Sequence, residues 1–387
     1  MSVIYMDNAA TSWPKPAETM AAINHYNDMI GGSPGRSGHR LSVDAGRCVI
    51  DAREALAELF GISNPLRIVF TGNATEALNI AIFGFLAAGD HVITSGMEHN
   101  SVMRPLRALE QQGVDVTVIP CSPRGEIDPG DVEKAIGAAT RAIYLTHASN
   151  VTGTIMPIAD VGAIAREKGI MFCVDAAQTA GAVPLDVEDM KIDFLAFTGH
   201  KSLFGPQGTG GFYVADGFAK NIRPIMMGGT GSRSESEEHP DFLPDKFEPG
   251  TVNGIGIAGL GAGVRFILDR GVDHIRNHEM GLTDMLILGL GEIPGVVVHG
   301  GRDARRQTTA VSFSIETVSP ADIALILDEE YQIMSRPGLQ CAPAAHRTIG
   351  TFPVGTVRLS PGYFTSEDDI GRALSAIAAI AGRIVRL

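Results

Sequence analysis

Residues 170–201, IMFCVDAAQTAGAVPLDVEDMKIDFLAFTGHK, decide the fold class of this chain. They contain two short apolar runs, 170–175 and 193–198, and polar or small residues follow each run. Such uninterrupted runs are typical of strands that are buried on both faces of a parallel sheet. Since ligands of open α/β sheets bind beyond the carboxyl ends of the strands, Asp175, Thr198 and Lys201 become candidate site residues.

The same alternation of strand and helix extends through the first two thirds of the chain. Strands are predicted at 67–70, 91–95, 114–119, 141–147, 170–175, 193–198 and 211–215. Helices are predicted at 15–30, 42–60, 74–86, 101–112, 129–139 and 158–168. Because each connection between the strands is long enough to hold a helix, we predict an α/β fold with a mainly parallel central sheet and helices on both faces.

A change of composition marks the start of a second unit. From 229 to 250, Ser, Glu, Pro and Asp prevail without a helical or strand period, which predicts a long loop. Beyond it, helices are predicted at 255–269, 272–290, 320–330 and 366–386, and strands at 296–299, at 309–315 and near Tyr331 and Val357. We predict a large α/β domain over 15–255 and a smaller α+β domain over 256–387, which also includes the segment 1–14.

Composition and charge exclude several classes of protein. Of 387 residues, 44% are hydrophobic and 19% are charged, which supports a large apolar core. The net charge is −13 and no basic run offsets it, so we expect no nucleic-acid partner. The uncharged stretch 249–264 is shorter than the roughly 20 apolar residues that a bilayer helix needs. With no recognisable leader at the start, we expect a cytoplasmic protein without a membrane span.

Several short patterns resemble known motifs but lack the context that those motifs require. GIGIAG at 254–259 matches a dinucleotide fingerprint, yet a proline-containing loop rather than a strand precedes it. GGSPG at 31–35 matches a hydrolase elbow, but proline follows the serine where a helix should begin. His274 and His278 could share a metal, although their charged neighbours favour a solvated helix face. The four cysteines lie far apart without a CxxC pair, so we predict neither a metal site nor a disulfide framework.

The residues that follow three strands together predict a site for a phosphorylated cofactor. TGNATEALN at 71–79 opens a helix, where the amides of Ala74 and Thr75 can bind an anion, or a side chain can cap the helix with nothing bound. Asp175 ends an apolar strand and needs a partner for its charge. Lys201 follows the next strand, where a lysine by itself would be an ordinary surface residue. An anion site, a carboxylate and a lysine in this arrangement are the set that pyridoxal phosphate requires.

Seven segments, taken in chain order, resemble one protein family. They are DNAATSWPKP, FTGNATEALN, EHNS, HASNVTG, VDAAQTAG, FTGHKS and FEPGTVN. They resemble the class V aminotransferase family of fold type I pyridoxal phosphate enzymes, and within it the branch of cysteine desulfurases and selenocysteine lyases. The resemblance extends from about residue 5 to about residue 370. It implies pyridoxal 5'-phosphate as the cofactor and a homodimer as the working form.

The resemblance also implies a role for each matching residue. Lys201 would form the Schiff base with the cofactor, Asp175 would bind the ring nitrogen, and His99 would stack on the ring. The residues expected near the ring hydroxyl or the phosphate are Asn150, Gln178, Ala74, Thr75, Thr198 and His200. Thr251 is expected to reach the phosphate from the other subunit, and Arg36 and His39 are expected to border the substrate pocket of the neighbouring subunit.

Two residues of the second domain indicate the reaction. SRPGLQCAPAAH places Cys341 in a segment that resembles the nucleophile loop of the group II desulfurases, whereas an ordinary free cysteine is buried and inert. Arg358 falls where that family binds the substrate carboxylate, and a guanidinium suits a carboxylate well. The resemblance implies that Lys201 moves the α proton of L-cysteine and that the Cys341 thiolate takes its sulfur. The products would be L-alanine and a persulfide, which passes to an acceptor protein.

Two departures from the family pattern leave other activities open. Gln340 precedes the cysteine where group II enzymes commonly have histidine, and GNATE stands where GTTE is usual. Selenocysteine is a further candidate substrate beside cysteine. A β-lyase, epimerase or aminotransferase of the same family is the alternative function, and a non-catalytic scaffold that binds pyridoxal phosphate is a more remote one.

Overall fold

The computed structural model describes residues 3–35 and 37–384. Its strands are β1 (Ile4–Tyr5), β2 (Ile68–Thr71), β3 (His91–Ser95), β4 (Asp115–Ile119), β5 (Thr140–Thr146), β6 (Met171–Asp175), β7 (Phe194–Thr198), β8 (Gly210–Val214), β9 (Val296–His299), β10 (Val311–Ile315), β11 (Ile333–Met334), β12 (Arg336–Gly338) and β13 (Thr356–Leu359). Its α-helices are α1 (Ala17–His25), α2 (Arg40–Phe60), α3 (Ala74–Phe85), α4 (Asn100–Glu110), α5 (Pro129–Ala135), α6 (Ile158–Lys168), α7 (Asp216–Ala219), α8 (Gly254–Arg270), α9 (Val272–Glu292), α10 (Pro320–Tyr331), α11 (Pro343–Thr348) and α12 (Glu367–Ile384).

A seven-stranded sheet lies at the centre of the fold, in the order β2-β8-β7-β6-β5-β3-β4. β8 runs antiparallel to its neighbours β2 and β7, and the other neighbouring strands are parallel. Every residue of β3, β6, β7 and β8 is buried, as expected for strands that are covered on both faces. The predicted mainly parallel sheet is confirmed, and the carboxyl ends of β5, β6 and β7 lie side by side.

Alternate residues of the central strands enter two separate apolar clusters. In β6, Phe172 and Val174 belong to the cluster that contains residues of α2, α6 and α8. Met171 and Cys173 of the same strand belong to the cluster that contains residues of α3 and α4. Burying a side chain of this size contributes roughly 1.5–3 kcal/mol, so the two layers of helices hold the strand ends firmly in place. The helices predicted on both faces of the sheet are confirmed.

A smaller antiparallel sheet, in the order β12-β13-β10-β9, organises the C-terminal part of the chain. It shares a third apolar cluster with residues of α9, α10 and α12. The N-terminal residues join this part, because β1 pairs in parallel with β11 and Asp7 forms a bridge with Ser360. The domain division at 255/256, with the segment 1–14 in the second unit, stays a prediction.

The structure differs from the sequence predictions in a few elements. The helix predicted at 129–139 ends at Ala135, because Gly137 turns the chain and its N–H donates to Thr140 Oγ1 at 2.8 Å. The helix predicted at 15–30 is α-helical only to His25 and continues as a π-helical turn, Tyr26–Ile30. The short helix α11 was not predicted. Within the described residues, no helix combines the length and apolarity that crossing a bilayer requires.

Candidate active site

A cavity of about 440 Å³ opens beside the carboxyl ends of β5, β6 and β7, and we call it the site cavity. It is lined by residues from both parts of the chain. The predicted site residues among them are Ala74, Thr75, His99, Asn150, Asp175, Gln178, Thr198, His200, Lys201, Cys341 and Arg358. The fold therefore brings most of the residues selected from the sequence into one place.

Two predicted residues, Thr251 and His39, do not line the site cavity of their own chain. Thr251 is exposed and borders a separate cavity of about 190 Å³ beside β2. His39 is exposed at the N-cap of α2, where its Nδ1 accepts a hydrogen bond from Ser42 N at 3.3 Å. Arg36 lies outside the described residues. The roles of these three residues across a subunit interface stay predictions.

Asp175 and Lys201 place opposite charges at the ends of β6 and β7. Asp175 is the last residue of β6, and its Oδ1 accepts a hydrogen bond from Ala177 N at 2.9 Å. Burial raises the pKa of Asp175, and that N–H and the charge of Lys201 oppose the rise. Burial lowers the pKa of Lys201 to about 8. At neutral pH the uncharged fraction of the Lys201 amine is therefore larger than that of an exposed lysine, and an uncharged amine is a nucleophile.

The start of α3 and the end of β7 form a corner that can bind an anion. The Asn73 side chain caps α3, and the first amides of the helix, those of Ala74 and Thr75, have no carbonyl partner within it. Thr198 Oγ1 and His200 Nδ1 are buried and, within the part of the chain that the structure describes, lack a hydrogen-bond partner. Two unpaired polar atoms beside a helix N-terminus fit a phosphate group, which accepts hydrogen bonds from such donors.

His99 is held in one tautomer at the N-cap of α4. Its Nδ1 accepts a hydrogen bond from Ser101 N at 3.1 Å and lies 2.8 Å from Ser101 Oγ. Since a backbone N–H can only donate, Nδ1 carries no proton, and the neutral ring carries its proton on Nε2. Burial, assisted by the positive charge of Lys201, lowers the pKa of His99 to about 4. His99 is therefore a neutral, oriented imidazole at neutral pH, which suits a ring that stacks on another ring.

Arg358 of β13 is buried, and two oxygens hold its guanidinium group. Its Nη1 donates to Asn150 O at 2.8 Å, and its Nη2 donates to Asp7 Oδ1 at 2.6 Å. Its Nε is buried and has no hydrogen-bond partner among the described residues. A guanidinium has five N–H groups, so Arg358 retains donors for a carboxylate that enters the site cavity.

Cys341 lies in the turn between β12 and α11, and its side chain is exposed. Gln340 and Cys341 both adopt left-handed backbone conformations, with φ of 42° and 59°. Two hydrogen bonds attach this turn to the rest of the site: Asn100 N donates to Cys341 O at 2.9 Å, and Asn150 Nδ2 donates to Gln340 O at 2.7 Å. The exposed thiol is thus presented on a turn that is fastened to the wall of the site cavity.

Sequence reasoning missed three residues that shape the site. Asp7, which pairs with Arg358, belongs to a segment that served only as a family marker, and no local pattern in the sequence indicates this pairing. Ser101 fixes the ring of His99 and could have been found from the local N-cap pattern. Arg336 lines the site cavity, and nothing in the sequence distinguishes it from other arginines.

The chain is similar to known proteins over nearly its whole length. The family model "Aminotransferase class-V" matches residues 4–372. A protein described as a probable cysteine desulfurase from Methanothermobacter thermautotrophicus is 35% identical, over 98% of this chain and 95% of its own length. Another probable cysteine desulfurase, from Pyrococcus abyssi, is 33% identical over 97% of this chain and 93% of its own length.

A solved structure agrees with these sequence comparisons. The apo structure of a cysteine desulfurase from Thermococcus onnurineus superposes with a TM-score of 0.92 and is 32% identical. The match covers 98% of this chain and 95% of that one. Similarity in sequence and in backbone therefore extends over both sheets and includes the segments that carry the site cavity.

Proposed function

The chain belongs to the class-V aminotransferase family, and from that premise we propose that it is a pyridoxal-phosphate-dependent cysteine desulfurase. It converts L-cysteine to L-alanine and retains the sulfur as a persulfide on Cys341. The observation that supports this most directly is the meeting of Lys201, Arg358 and an exposed Cys341 at one cavity. These three side chains supply a base, a carboxylate-binding group and a nucleophile for sulfur.

The residues of the site cavity fit pyridoxal phosphate. The first amides of α3 and the unpaired Thr198 Oγ1 and His200 Nδ1 would hold its phosphate. Asp175 would bind the ring nitrogen, and Lys201 would hold the aldehyde carbon. When bound, the cofactor supplies an electron sink for the carbon atom next to the substrate nitrogen. Asn150 and Gln178 line the same cavity and would lie near the ring hydroxyl, with His99 on the ring face.

Arg358 and Lys201 would divide the binding and proton-transfer steps between them. The free N–H groups of Arg358 bind the α-carboxylate of cysteine and so orient the α carbon. Lys201 accepts the α proton as a base, and its pKa of about 8 leaves an uncharged fraction for this task at neutral pH. The same lysine, now protonated, returns the proton to the carbon skeleton, which leaves as alanine.

Cys341 would take the sulfur atom. Its thiolate attacks the substrate sulfur, a sulfur–sulfur bond forms, and the bond between that sulfur and the β carbon breaks, its electron pair remaining with the carbon skeleton. The resulting persulfide carries the transferable sulfur. Because the Cys341 side chain is exposed, an acceptor protein can approach it without unfolding the turn.

We also propose that the protein works as a homodimer in the cytoplasm. Thr251 is exposed and lines a different cavity from the site cavity of its own chain, which agrees with a role at the phosphate of a second subunit. The exposed His39 and the neighbouring Arg36 would border that subunit's substrate pocket. Size measurement in solution tests this assembly, and a purely monomeric active enzyme would contradict it.

The proposal is tested by measuring the products from cysteine with the cofactor-loaded enzyme. Wild type should release alanine and, with a reductant present, sulfide in equal amounts. Cys341→Ala should lose both products from cysteine, and Lys201→Ala should lose turnover of every amino acid. Cys48→Ala, which removes a half-buried thiol in α2, is the matched control and should behave as wild type.

A panel of substrates, tested with the same enzyme variants, separates the alternative functions. It should include selenocysteine, cystine and common amino acids besides cysteine. Undiminished turnover of cysteine by Cys341→Ala would contradict the persulfide mechanism. Faster turnover of another amino acid, with a product other than alanine, would indicate a β-lyase, an epimerase or an aminotransferase instead.

A further inference from the structure

The side chain of Gln340 is directed away from its neighbour Cys341 and into the protein. It is buried, and its Nε2 donates to Arg336 O at 3.2 Å and to Thr356 O at 3.1 Å. Since both of these partners are carbonyl oxygens, which only accept, the orientation of the amide is fixed. Its Oε1 then lies 2.7 Å from His346 Nε2 and must accept a hydrogen bond from it. Both donors of the amide and its acceptor oxygen are therefore engaged.

His346 continues the same chain of hydrogen bonds. It is completely buried in α11, and its Nδ1 lies 2.7 Å from Thr351 Oγ1. Because Nε2 carries the proton for Gln340, the neutral ring must accept at Nδ1 from the Thr351 hydroxyl. Each donor thus has an acceptor from Thr351 through His346 to Gln340. The chain connects the residues on both sides of Cys341 to one another without involving its thiol.

This buried chain supports a backbone turn that ordinary residues avoid. Gln340 and Cys341 have consecutive positive φ angles of 42° and 59°, where a side chain crowds the backbone. Such a conformation persists only when its surroundings hold it. The Gln340 side chain holds the turn from inside, and the hydrogen bonds of Asn150 and Asn100 to its two carbonyls hold it from the site cavity.

We propose that Gln340 is a positioning residue, which together with His346 and Thr351 clamps the Cys341 turn in the geometry that presents the thiol to substrate. The proposal rests on the proposed function in one respect, namely that Cys341 is the nucleophile. It accounts for a glutamine at the position before the cysteine. The residue there does not exchange protons with the thiol, because all of its hydrogen-bonding groups face other partners.

The test compares Gln340→Met with Gln340→His in the cofactor-loaded full chain. Methionine fills similar space but can neither donate to the two carbonyls nor accept from His346. Histidine retains one donor and one acceptor, so it should restore part of the clamp. Gln332→Met is the matched control, because Gln332 also has a positive φ of 57° and donates to a backbone carbonyl, at Asp328, away from the site.

Two readouts report on the turn and one reports on turnover. Hydrogen exchange at the amides of 100 and 338–342 should accelerate by at least about tenfold in Gln340→Met, as expected for the loss of the three hydrogen bonds of the glutamine amide. Alkylation of Cys341 by iodoacetamide, measured by peptide mass, should change in rate by a similar factor. The kcat for cysteine should fall by about tenfold while KM stays within about twofold, because Arg358 keeps its partners.

Other variants and outcomes keep the proposal open to refutation. Thr351→Val removes only the hydroxyl at the far end of the hydrogen-bond chain. It should change the exchange, alkylation and turnover rates in the same direction but by smaller factors, so it replaces Gln340→Met if that variant fails to fold. Unchanged exchange and unchanged alkylation in folded Gln340→Met would overturn the clamp, whatever the enzyme's activity. Unaltered kcat with an altered turn would show that the clamp does not serve catalysis. If wild type released no alanine while exchange still accelerated, the proposed function would fail and the clamp would stand.

Discussion

Breaking the ion pair between Asp7 and Arg358 should destabilise the protein strongly. Asp7 Oδ1 lies 2.6 Å from Arg358 Nη2, and the two side chains are only 14% and 3% exposed. Removing one partner of a buried pair leaves the other charge without solvent or counter-charge, which costs about 3–5 kcal/mol. Because Asp7 has slight access to water, we expect Asp7→Ala to lower the free energy of unfolding by about 3 kcal/mol, the lower end of that range.

A set of related variants identifies the charge as the cause. Asp7→Asn keeps an oxygen that can accept from Arg358 and should cost less, about 1–2 kcal/mol. The double variant Asp7→Ala/Arg358→Leu removes both charges, so its cost should be at least about 1 kcal/mol below the sum of the single costs. Glu330→Gln is the control: Arg383 donates to both Glu330 oxygens at 3.0 and 2.7 Å, but that pair is exposed and should contribute nothing measurable.

Urea unfolding of the cofactor-free full chain, followed by circular dichroism, measures these differences. A loss of about 3 kcal/mol corresponds to more than about a hundredfold in the folding equilibrium and is well above experimental scatter. The reasoning would be refuted if Asp7→Ala unfolded within about 0.5 kcal/mol of wild type, or if the two single costs simply added in the double variant. Either result would mean that the pair is solvated or that its partners relax freely.

Three further predictions concern Lys201 and Thr198 of the site cavity and the buried carboxyl group of Glu98, which accepts hydrogen bonds from Ser95 Oγ and Thr146 N. The rate at which the cofactor-free protein captures pyridoxal phosphate can be followed by visible absorption. This rate should rise by about tenfold per pH unit below pH 7 and level off above about pH 8.5, because burial lowers the pKa of Lys201 to about 8 and only the uncharged amine reacts. A continued rise to pH 10 would contradict this prediction. Thr198→Val should weaken pyridoxal phosphate binding by about tenfold in a fluorescence titration and leave binding of unphosphorylated pyridoxal unchanged, because the Thr198 hydroxyl is expected to donate to the phosphate. Burial raises the pKa of Glu98 to about 8, so its contribution to stability is present below pH 4.5 and is lost as the pH rises through 8. Urea unfolding should show Glu98→Gln gaining stability relative to wild type between pH 5 and 8, and a constant difference would be the contrary result.

The fold could be predicted from the sequence because its central strands are mainly apolar and fully buried. The run 170–174 is apolar throughout, and helices between the strands end at glycines such as Gly169, which adopts a left-handed conformation. These local signals do not depend on distant parts of the chain. The reversed direction of β8 could not be predicted, because its five buried residues would suit a parallel or an antiparallel neighbour equally well.

Site residues could be predicted from the sequence only where they lie at or just beyond the end of a predicted strand. Asp175 and Thr198 end two predicted strands and Lys201 follows the second, so the order of the sheet brings them together. The partnership of Asp7 with Arg358 spans nearly the whole chain and depends on β1 pairing with β11, a strand of only two residues. The sequence carries no local mark of such a contact. The tertiary fold alone decides it.

Asn150 connects the two halves of the proposed chemistry. Its backbone oxygen accepts from Arg358 Nη1, and its side-chain nitrogen donates to Gln340 O, one peptide unit before Cys341. Asn150 is therefore hydrogen-bonded both to the group proposed to bind the substrate carboxylate and to the turn that bears the proposed nucleophile. Because that turn is also held from inside by Gln340, the distance from carboxylate to sulfur is set by the protein, and the substrate must conform to it.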